Sequence, residues 1–383
     1  MNKIVAVDCY LSHNLGDDLF LFTLLKRYPN VMFNVNADCS YGYLTHDFNN
    51  ANLVISGSNS DSGSLLLKMK RYCSNICEYL TELHNADALV TIGGSLYMEN
   101  ENRTLRAVVA EKRRFFRDKR NARKAAKYYV LGANFGPFYS KRYLSFYKKF
   151  FSNYCQDVCF RDRYSASLFS DVSNVRYAPD ILFNVELPKV VRRKKLFISV
   201  VDLNQVNKFK NLSKKRLAYD QLIMKYIRKY DHLGYDIVLC SFSRPEGDEY
   251  AVRRLMQCAK SERIAVRTLY YWNNIQEVLT ELASSNTVIG TRFHAVILGL
   301  LAGAEVLPIM YSNKTGYVLD DLGFDMAHAI DLKSENWMHY GHKLPNPIAW
   351  NVSSSVVASA EQFSALDTFL YKNNGIIYKC ICG

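Results

Sequence analysis

Short apolar runs alternate with amphipathic stretches through the first half of the chain. Runs with the length and apolar content of buried strands lie at residues 3–8, 53–56, 88–92, 128–131 and 157–160. Segments with helical periodicity separate most of them, at residues 19–25, 65–84, 103–124 and 143–154. Strands that alternate with helices predict a parallel sheet covered by helices on both faces.

The second half repeats this pattern. Strands are predicted at residues 196–201, 237–240, 288–290 and 306–310, with helices at 215–232 and 295–302. The short basic segment at 189–195, KVVRRKK, follows Pro188 and is predicted to be a linker. We therefore expect an α/β fold of two Rossmann-like domains facing a cleft, an N-terminal domain at 1–188 and a C-terminal domain at 196–383. The length of 383 residues also favours two hydrophobic cores.

The net charge limits the kinds of partner that the protein could bind, and the cysteine content indicates its cellular compartment. The formal net charge of +13 favours anionic partners, namely phosphates, nucleic acid or an anionic membrane surface, without choosing among them. The sequence has no run of about 18 apolar residues, and Asp8 comes too early for a signal peptide. Ten cysteines without paired CxxC motifs indicate reduced thiols. We expect a cytoplasmic protein.

The segment at 289–294 places Arg292 and His294 between a buried strand and the first turn of a helix. In open α/β sheets, ligands lie beyond the carboxyl ends of the strands. A helix N-terminus and the forked guanidinium of Arg292 both suit a carboxylate or phosphate, and His294 titrates near neutrality and could transfer a proton. The alternative is a helix cap with an ordinary buried histidine.

Two further strand ends carry charged residues. Arg161, Asp162 and Arg163 follow the strand at 157–160 and predict an anion site, with a salt-bridge cluster as the alternative. The turn at 12–18 lacks the GxGxxG spacing of a dinucleotide loop and the GK[ST] of a phosphate loop. This argues against a nicotinamide cofactor and a P-loop. Asp17 and Asp18 supply two carboxylates at a helix start, where capping is the alternative role for one of them.

Six short motifs in a fixed order resemble those of the polysaccharide pyruvyltransferase family. They are Asn14-Leu15-Gly16-Asp17, Gly93-Gly94, the segment 132–137, Arg161-Asp162, Ala178-Pro179-Asp180 and Thr291-Arg292-Phe293-His294. The segment 303–308, followed by Tyr311 and Lys314, also resembles the family, so the likeness extends from residue 1 to about residue 320. One departure is His13, where the family more often has glycine.

The resemblance implies a fold of the glycosyltransferase B type, phosphoenolpyruvate as donor and co-substrate, and a pyruvate ketal on a sugar or lipid-linked oligosaccharide as product. The residues assigned to catalysis are His294 as the acid that protonates the donor, Arg292 and Asp17. Those assigned to the donor are Arg161, Arg163, Arg292, Lys314 and Gly94. Those assigned to the acceptor are Asn14, Asp18, His13 and Asn134, and Asp17, Asp18 and His13 are all candidates for the general base. We expect no other cofactor. No cluster has metal-ligand spacing, so we also expect no essential metal.

The basic helix at 103–124 carries Phe115 and Phe116, and it could contact an anionic membrane from the cytoplasmic side. The alternative is a solvated face whose phenylalanines turn inward. Two other functions compete with pyruvyl transfer. A glycosyltransferase that uses a nucleotide sugar would share the fold and the need for arginines. A nucleic-acid-binding protein would explain the charge, but the sequence has no helix-turn-helix, zinc finger or ribonucleoprotein motif, so we expect no nucleic acid partner.

Overall fold

The computed structural model describes residues 3–55, 76–101, 104–204, 212–339 and 344–371. These residues form two compact units. Unit 1 comprises the described residues within Met1–Tyr10, Phe20–Ile181 and Ala358–Gly383, and unit 2 comprises those within Leu11–Leu19 and Leu182–Val357.

Unit 1 is built on a parallel sheet. Its strands are β1 (Ile4–Cys9), β2 (Met32–Ala37), β3 (Ala51–Ile55), β4 (Ala88–Ile92), β5 (Tyr128–Ala133), β6 (Asp157–Phe160) and β7 (Val175–Tyr177). They lie in the order β3-β2-β1-β4-β5-β6-β7, and each neighbouring pair is parallel. Because β4 and β5 are covered on both faces, all their residues are buried.

Helices cover this sheet. They include α1 (Leu15–Arg27), α2 (Leu44–Asp47), α3 (Leu105–Lys124), α4 (Lys141–Tyr154) and α5 (Arg163–Ser167), and residues 76–85 are also helical. The side chains of Thr104 and Ser140 cap α3 and α4 by accepting backbone N–H bonds from the first turn. Residues 65–75 of the helix predicted at 65–84 lie outside the described residues.

Unit 2 has a second, mostly parallel sheet. Its strands are β8 (Arg193–Ser199), β9 (Asp236–Ser241), β10 (Arg267–Tyr270), β11 (Ser285–Gly290), β12 (Glu305–Met310), β13 (Ile330–Asp331) and β14 (Ile348–Ala349). The order is β10-β9-β8-β11-β12-β13, and β14 pairs antiparallel with β12. The longer helices are α6 (Arg216–His232), α7 (Asp248–Ser261), α8 (Ile275–Ala283), α9 (Phe293–Leu301) and α10 (Asn313–Asp321). In the described ranges, no helix is both long and apolar enough to span a membrane.

The last helices among the described residues are α11 (Ser353–Ser359) and α12 (Ser364–Tyr371). Short 3-10 helices lie at Cys39–Tyr41, Ile181–Asn184, Ser213–Lys215, Met326–His328, Asn336–His339 and Ala360–Phe363. The first strand of each sheet, β1 or β8, lies beside the strand at which the order reverses, β4 or β11. This is the Rossmann arrangement, and the predicted class of two Rossmann-like α/β domains is confirmed.

The chain passes between the two units at several points rather than through a single linker at 189–195. The chain passes from one unit to the other after Tyr10, Leu19, Ile181 and Val357, and β8 already begins at Arg193. The segment 11–19 belongs to unit 2 because the Leu15 N–H donates to the Phe242 carbonyl, 3.0 Å away. The C-terminal segment belongs to unit 1, where Asp367 accepts two hydrogen bonds from the Arg27 guanidinium.

Gln362 fixes this C-terminal segment to unit 1. Its buried side-chain amide accepts from the Gly132 N–H at 3.0 Å. It also donates to the carbonyls of Phe160 (3.3 Å), Ala178 (2.7 Å) and Pro179 (3.1 Å). One side chain therefore satisfies backbone groups at the ends of β5, β6 and β7.

We expect Gln362→Leu to lower the free energy of unfolding by about 2–4 kcal/mol, because each buried polar group left unpaired costs about 1–3 kcal/mol. Urea denaturation of the full chain measures the change. Gln276→Leu is the matched control, since Gln276 is an exposed glutamine in α8. Equal stability of the two variants would contradict the anchoring role of Gln362.

Candidate functional site

Arg292 lies two residues after the end of β11, where the strand order of unit 2 reverses. Its backbone N–H donates to Oγ of Ser199, at the end of the adjacent β8, over 3.2 Å. Its guanidinium is buried and donates from Nε to Oδ2 of Asp248 at 2.9 Å, while Nη2 bonds the other carboxylate oxygen. Nη1 bonds Glu246. Asp248 thus holds the Nε–Nη2 edge of the guanidinium through both carboxylate oxygens, in a fixed orientation.

Asp248 is completely buried at the start of α7, after β9. Its Oδ2 also accepts the backbone N–H groups of Phe242 (3.1 Å) and Ser243 (3.0 Å), so the loop after β9 folds around the carboxylate. Burial acts to lower the pKa of Arg292, but the charges of Asp248 and Glu246 outweigh it and raise that pKa well above its usual value. The guanidinium therefore stays positively charged.

The two carboxylates around Arg292 differ in their access to water. The Asp248 side chain has 0% exposure, whereas that of Glu246 has 23% and lies in the loop before α7. Glu246 is therefore the more accessible of the two carboxylates that neutralise Arg292. The role of Arg292 in anion binding stays a prediction.

His294 is the second residue of α9 and packs on the turn that contains Gly16. The ring is half-buried, and a Cβ atom built on Gly16 would fall within the imidazole. Asn14 forms a backbone bridge to Ser243 and accepts the Gly16 N–H at Oδ1, 3.1 Å away. The absence of a side chain at Gly16 therefore lets the turn approach the His294 ring.

We expect Gly16→Ala to destabilise the protein by about 1–3 kcal/mol, because the added methyl group must displace the His294 ring or the turn. Thermal unfolding of the purified chain measures this change. The matched control is Gly316→Ala in α10, since the nearest atom to a Cβ built on Gly316 is Met310 Sδ, 4.0 Å away. A Gly16→Ala variant as stable as the parent would contradict the close packing.

The residues around Gly16 are held by the loop after β10. Asp18 is buried and accepts a hydrogen bond from the Tyr271 hydroxyl at 2.6 Å. The His13 ring stacks on Trp272 with centroids 4.0 Å apart, and its Nδ1 lies 3.0 Å from Oδ1 of Asn273. Asp17 is half-buried, so among the three candidate bases its carboxylate has the most access to solvent.

Lys314 and Tyr311 follow β12, which lies beside β11 in the sheet. Both side chains are half-buried, and Tyr311 is close enough to Arg292 to affect its pKa. The carboxyl edge of the unit 2 sheet thus gathers much of the predicted site. It carries Arg292, His294, Lys314, His13, Asn14, Asp17 and Asp18.

The other predicted residues lie in unit 1. Arg161 is buried after β6, and its guanidinium donates to Asp180 at 3.0 Å and to Oδ1 of Asn134 at 2.8 Å. Gly94 lies against the same group, since a Cβ there would stand 2.7 Å from Nη1. Gly94, Asn134 and Arg161 therefore form one buried cluster with Asp180. These contacts fit the alternative of a structural ion pair, and the roles of the three residues in binding stay predictions.

Arg163 does not join this cluster. It is exposed, and its guanidinium lies 4.6 Å from the centroid of the Tyr177 ring. Asp162, between the two arginines, caps α5 by accepting the Ser165 N–H at 2.7 Å. In the described structure, Asp162 therefore acts as the N-cap of α5. The role of Arg163 in donor binding stays a prediction.

Sequence reasoning missed three acidic residues. Glu246 and Asp248 follow the predicted strand at 237–240. The one sequence feature that could have identified them is a pair of carboxylates in a stretch with glycine and proline after a strand. Asp8 lies at the end of β1 and borders an open cleft of about 1310 Å³ along α3 in unit 1. Burial raises the pKa of Asp8, with Arg117 opposing and Asp118 adding to the shift.

A search of the described residues for three His, Cys, Asp or Glu side chains close enough to share a metal ion found no such group.

Three solved structures share the fold. A putative UDP-N-acetylglucosamine 2-epimerase from Listeria monocytogenes has 10% identity and a TM-score of 0.54, over 97% of this chain and 97% of that chain. The UDP-GlcNAc 2-epimerase from Methanocaldococcus jannaschii has 9% identity and a TM-score of 0.54, over 96% and 100%. HepE from Anabaena in complex with UDP-glucose has 11% identity and a TM-score of 0.50, over 97% and 96%. At this identity the likeness shows the fold alone.

A comparison with curated protein sequences found no match. The profile of one protein family, polysaccharide pyruvyl transferase, matches residues 14–313. The match begins at Asn14 in the turn beside His294 and ends at Asn313, at the start of α10. It covers β2 to β7 of the unit 1 sheet, β8 to β12 of the unit 2 sheet and most of the edge where Arg292 lies. The chain therefore belongs to the polysaccharide pyruvyl transferase family and is a transferase.

Proposed function

We propose that this transferase moves the pyruvyl group of phosphoenolpyruvate onto a sugar of a bacterial-type surface polysaccharide or its lipid-linked precursor. The product is a pyruvate ketal, and inorganic phosphate is released. The observation that carries the proposal is Arg292, a buried cation at a strand end whose second counter-ion, Glu246, is accessible to solvent. Family membership supplies the reaction class.

The reaction sets three chemical requirements. The C3 methylene of phosphoenolpyruvate takes up a proton and becomes a methyl group, C2 forms bonds to two sugar oxygens, and the bond from C2 to the phosphate oxygen breaks. Two hydroxyl protons are released, which balance the proton added to C3 and the proton carried away by phosphate. The protein must therefore bind an anion, donate a proton and accept one.

Arg292 meets the first requirement in this proposal. The donor's carboxylate or phosphate replaces Glu246 at Nη1, and Asp248 keeps the guanidinium oriented throughout. Lys314, which follows the neighbouring strand, adds a second cation at the same sheet edge. His294 donates the proton to C3 from the first turn of α9, and Asp17 is the carboxylate best placed by its accessibility to accept the hydroxyl proton.

Release of inorganic phosphate from phosphoenolpyruvate, measured with and without candidate glycans or lipid-linked sugars, tests this function. We expect phosphate release that depends on the acceptor. Thermal unfolding with each donor distinguishes the competing glycosyltransferase function, because a ligand stabilises the folded state that binds it. Stabilisation by a UDP-sugar but not by phosphoenolpyruvate would overturn the proposal in favour of nucleotide-sugar chemistry.

We expect Glu246→Gln to bind phosphoenolpyruvate several-fold more tightly, because the donor no longer displaces a carboxylate from Arg292 and no longer meets its charge. Isothermal titration measures the dissociation constant. Glu249→Gln is the matched control, since Glu249 pairs with Arg244 and Arg253 rather than with Arg292. Weaker binding by the Glu246 variant alone would show that this carboxylate helps to hold the donor.

A further inference from the structure

The solvent face of α3 carries an apolar stripe. Phe115, Asn121 and Ala122 are the buried residues of this helix and pack into unit 1. On the other side, Leu105 is 82% exposed, Val109 is 39% exposed and Phe116 is 70% exposed. At about 100° per residue, these three side chains lie within about 40° of one another and about 80–160° from the three buried residues. They border the open cleft along α3. The expectation that both phenylalanines turn inward is therefore correct for Phe115 and wrong for Phe116.

Cations flank this stripe on both sides. The 20 residues of α3 include nine Lys or Arg and two Asp or Glu, a net +7 that is more than half of the chain's +13. By the same helical geometry, Lys112 lies along one flank and Arg106 and Arg113 along the other, while Arg123 lies in line with Leu105. Within the described part of the chain, no acidic side chain forms an ion pair with Arg106, Lys112 or Arg113.

The inward-facing basic residue of the helix has a different role. Arg114 donates to the Met98 carbonyl at 2.9 Å and to the Tyr143 hydroxyl, so its charge is used within unit 1. Arg114 is therefore a structural residue, unlike the solvent-facing lysines and arginines of the same helix. Amphipathic helices that lie in the headgroup region of a bilayer have such an apolar stripe between two cationic flanks.

We propose that the exposed face of α3 docks on an anionic lipid bilayer. Leu105, Val109 and Phe116 enter the interface between headgroups and acyl chains, and the flanking lysines and arginines contact lipid phosphates. Each basic side chain near such a surface contributes about fivefold to the partition coefficient. The docking does not rest on the proposed pyruvyl transfer, since it uses none of the residues around Arg292.

Vesicle flotation with the full chain tests this proposal. We expect binding to vesicles that contain about one third phosphatidylglycerol in phosphatidylcholine, and little binding to phosphatidylcholine alone. Lys112→Glu/Arg113→Glu should lower the partition coefficient at least tenfold, and Phe116→Ser several-fold. Both substitutions lie on the solvent face, so the circular dichroism spectrum and melting temperature should stay unchanged.

Matched controls lie in unit 2. Leu217→Ser removes an apolar side chain of similar exposure (64%) from α6, and Lys260→Glu reverses an exposed charge on α7. Neither should change vesicle binding. Equal binding to neutral and anionic vesicles, or α3 variants that bind as the parent does, would overturn the proposal. Salt-sensitive binding to random duplex DNA without vesicle binding would overturn it in favour of a nucleic acid partner.

Discussion

His294→Ala is expected to lower turnover of phosphoenolpyruvate by at least a hundredfold while leaving donor affinity within about tenfold of the parent. A positioned proton donor contributes about 10²–10⁴ to a rate and acts mainly in the transition state, so its loss affects turnover more than binding. The imidazole lies in the first turn of α9, two residues after Arg292, which retains its own contacts in the variant. Steady-state phosphate release and direct titration of the donor measure the two quantities separately.

The control for this substitution is His232→Ala, at the exposed end of α6. Its turnover should equal that of the parent. The melting temperature of His294→Ala must also be measured, because the ring packs on the turn around Gly16. A variant that loses donor binding yet turns over at the parental rate would show that His294 binds the donor and transfers no proton.

Asp248→Ala is expected to destabilise the folded protein by about 3–5 kcal/mol. Removal of one partner from a buried ion pair leaves the other charge without compensation, and here the loop amides of Phe242 and Ser243 also lose their acceptor. The melting temperature should fall accordingly. Asp236→Ala removes a carboxylate that pairs with Arg267 at 2.6 Å at the surface, and it should cost less than about 1 kcal/mol.

A double substitution distinguishes the effect of an uncompensated buried charge from the effect of altered packing. Arg292→Met/Asp248→Leu replaces both buried charges with apolar side chains, so it should be more stable than Asp248→Ala. We also expect it to lose donor binding. If the double variant is the less stable of the two, packing around the guanidinium rather than its charge dominates the energetics.

The pattern of apolar runs predicted the central strands of both sheets and missed β2, β7, β10, β13 and β14. In β2 the apolar run is interrupted by Asn34, which is buried because its amide donates to Glu82 at 2.7 Å. That partner lies 48 residues away, so no local pattern predicts it. The strand β7 has only three residues, too few to show a period.

The positions of two candidate site residues were predicted, and their roles stay predictions. Arg292 and His294 stand on either side of Phe293 in a recognisable strand-to-helix segment, and both lie between β11 and the first turn of α9, as that pattern predicts. The partners of Arg292 come from the loop after β9, 44 and 46 residues earlier, at a spacing that has no general meaning. Asp248 and Glu246 could therefore be found only from the folded chain.

The hydrogen bond from the Tyr271 hydroxyl to Asp18 joins residues 253 positions apart, and it bears on how the chain folds during synthesis. Residues 11–19 are synthesised more than 220 residues before Phe242, Ser243 and Tyr271. Until those residues are made, the segment lacks these partners in unit 2, whereas β2, the partner of β1 in unit 1, follows β1 within about 30 residues. Contacts of such long sequence separation slow folding because the loop must close before they form. The turn beside His294 can therefore be completed only after residues 242–294 have been synthesised.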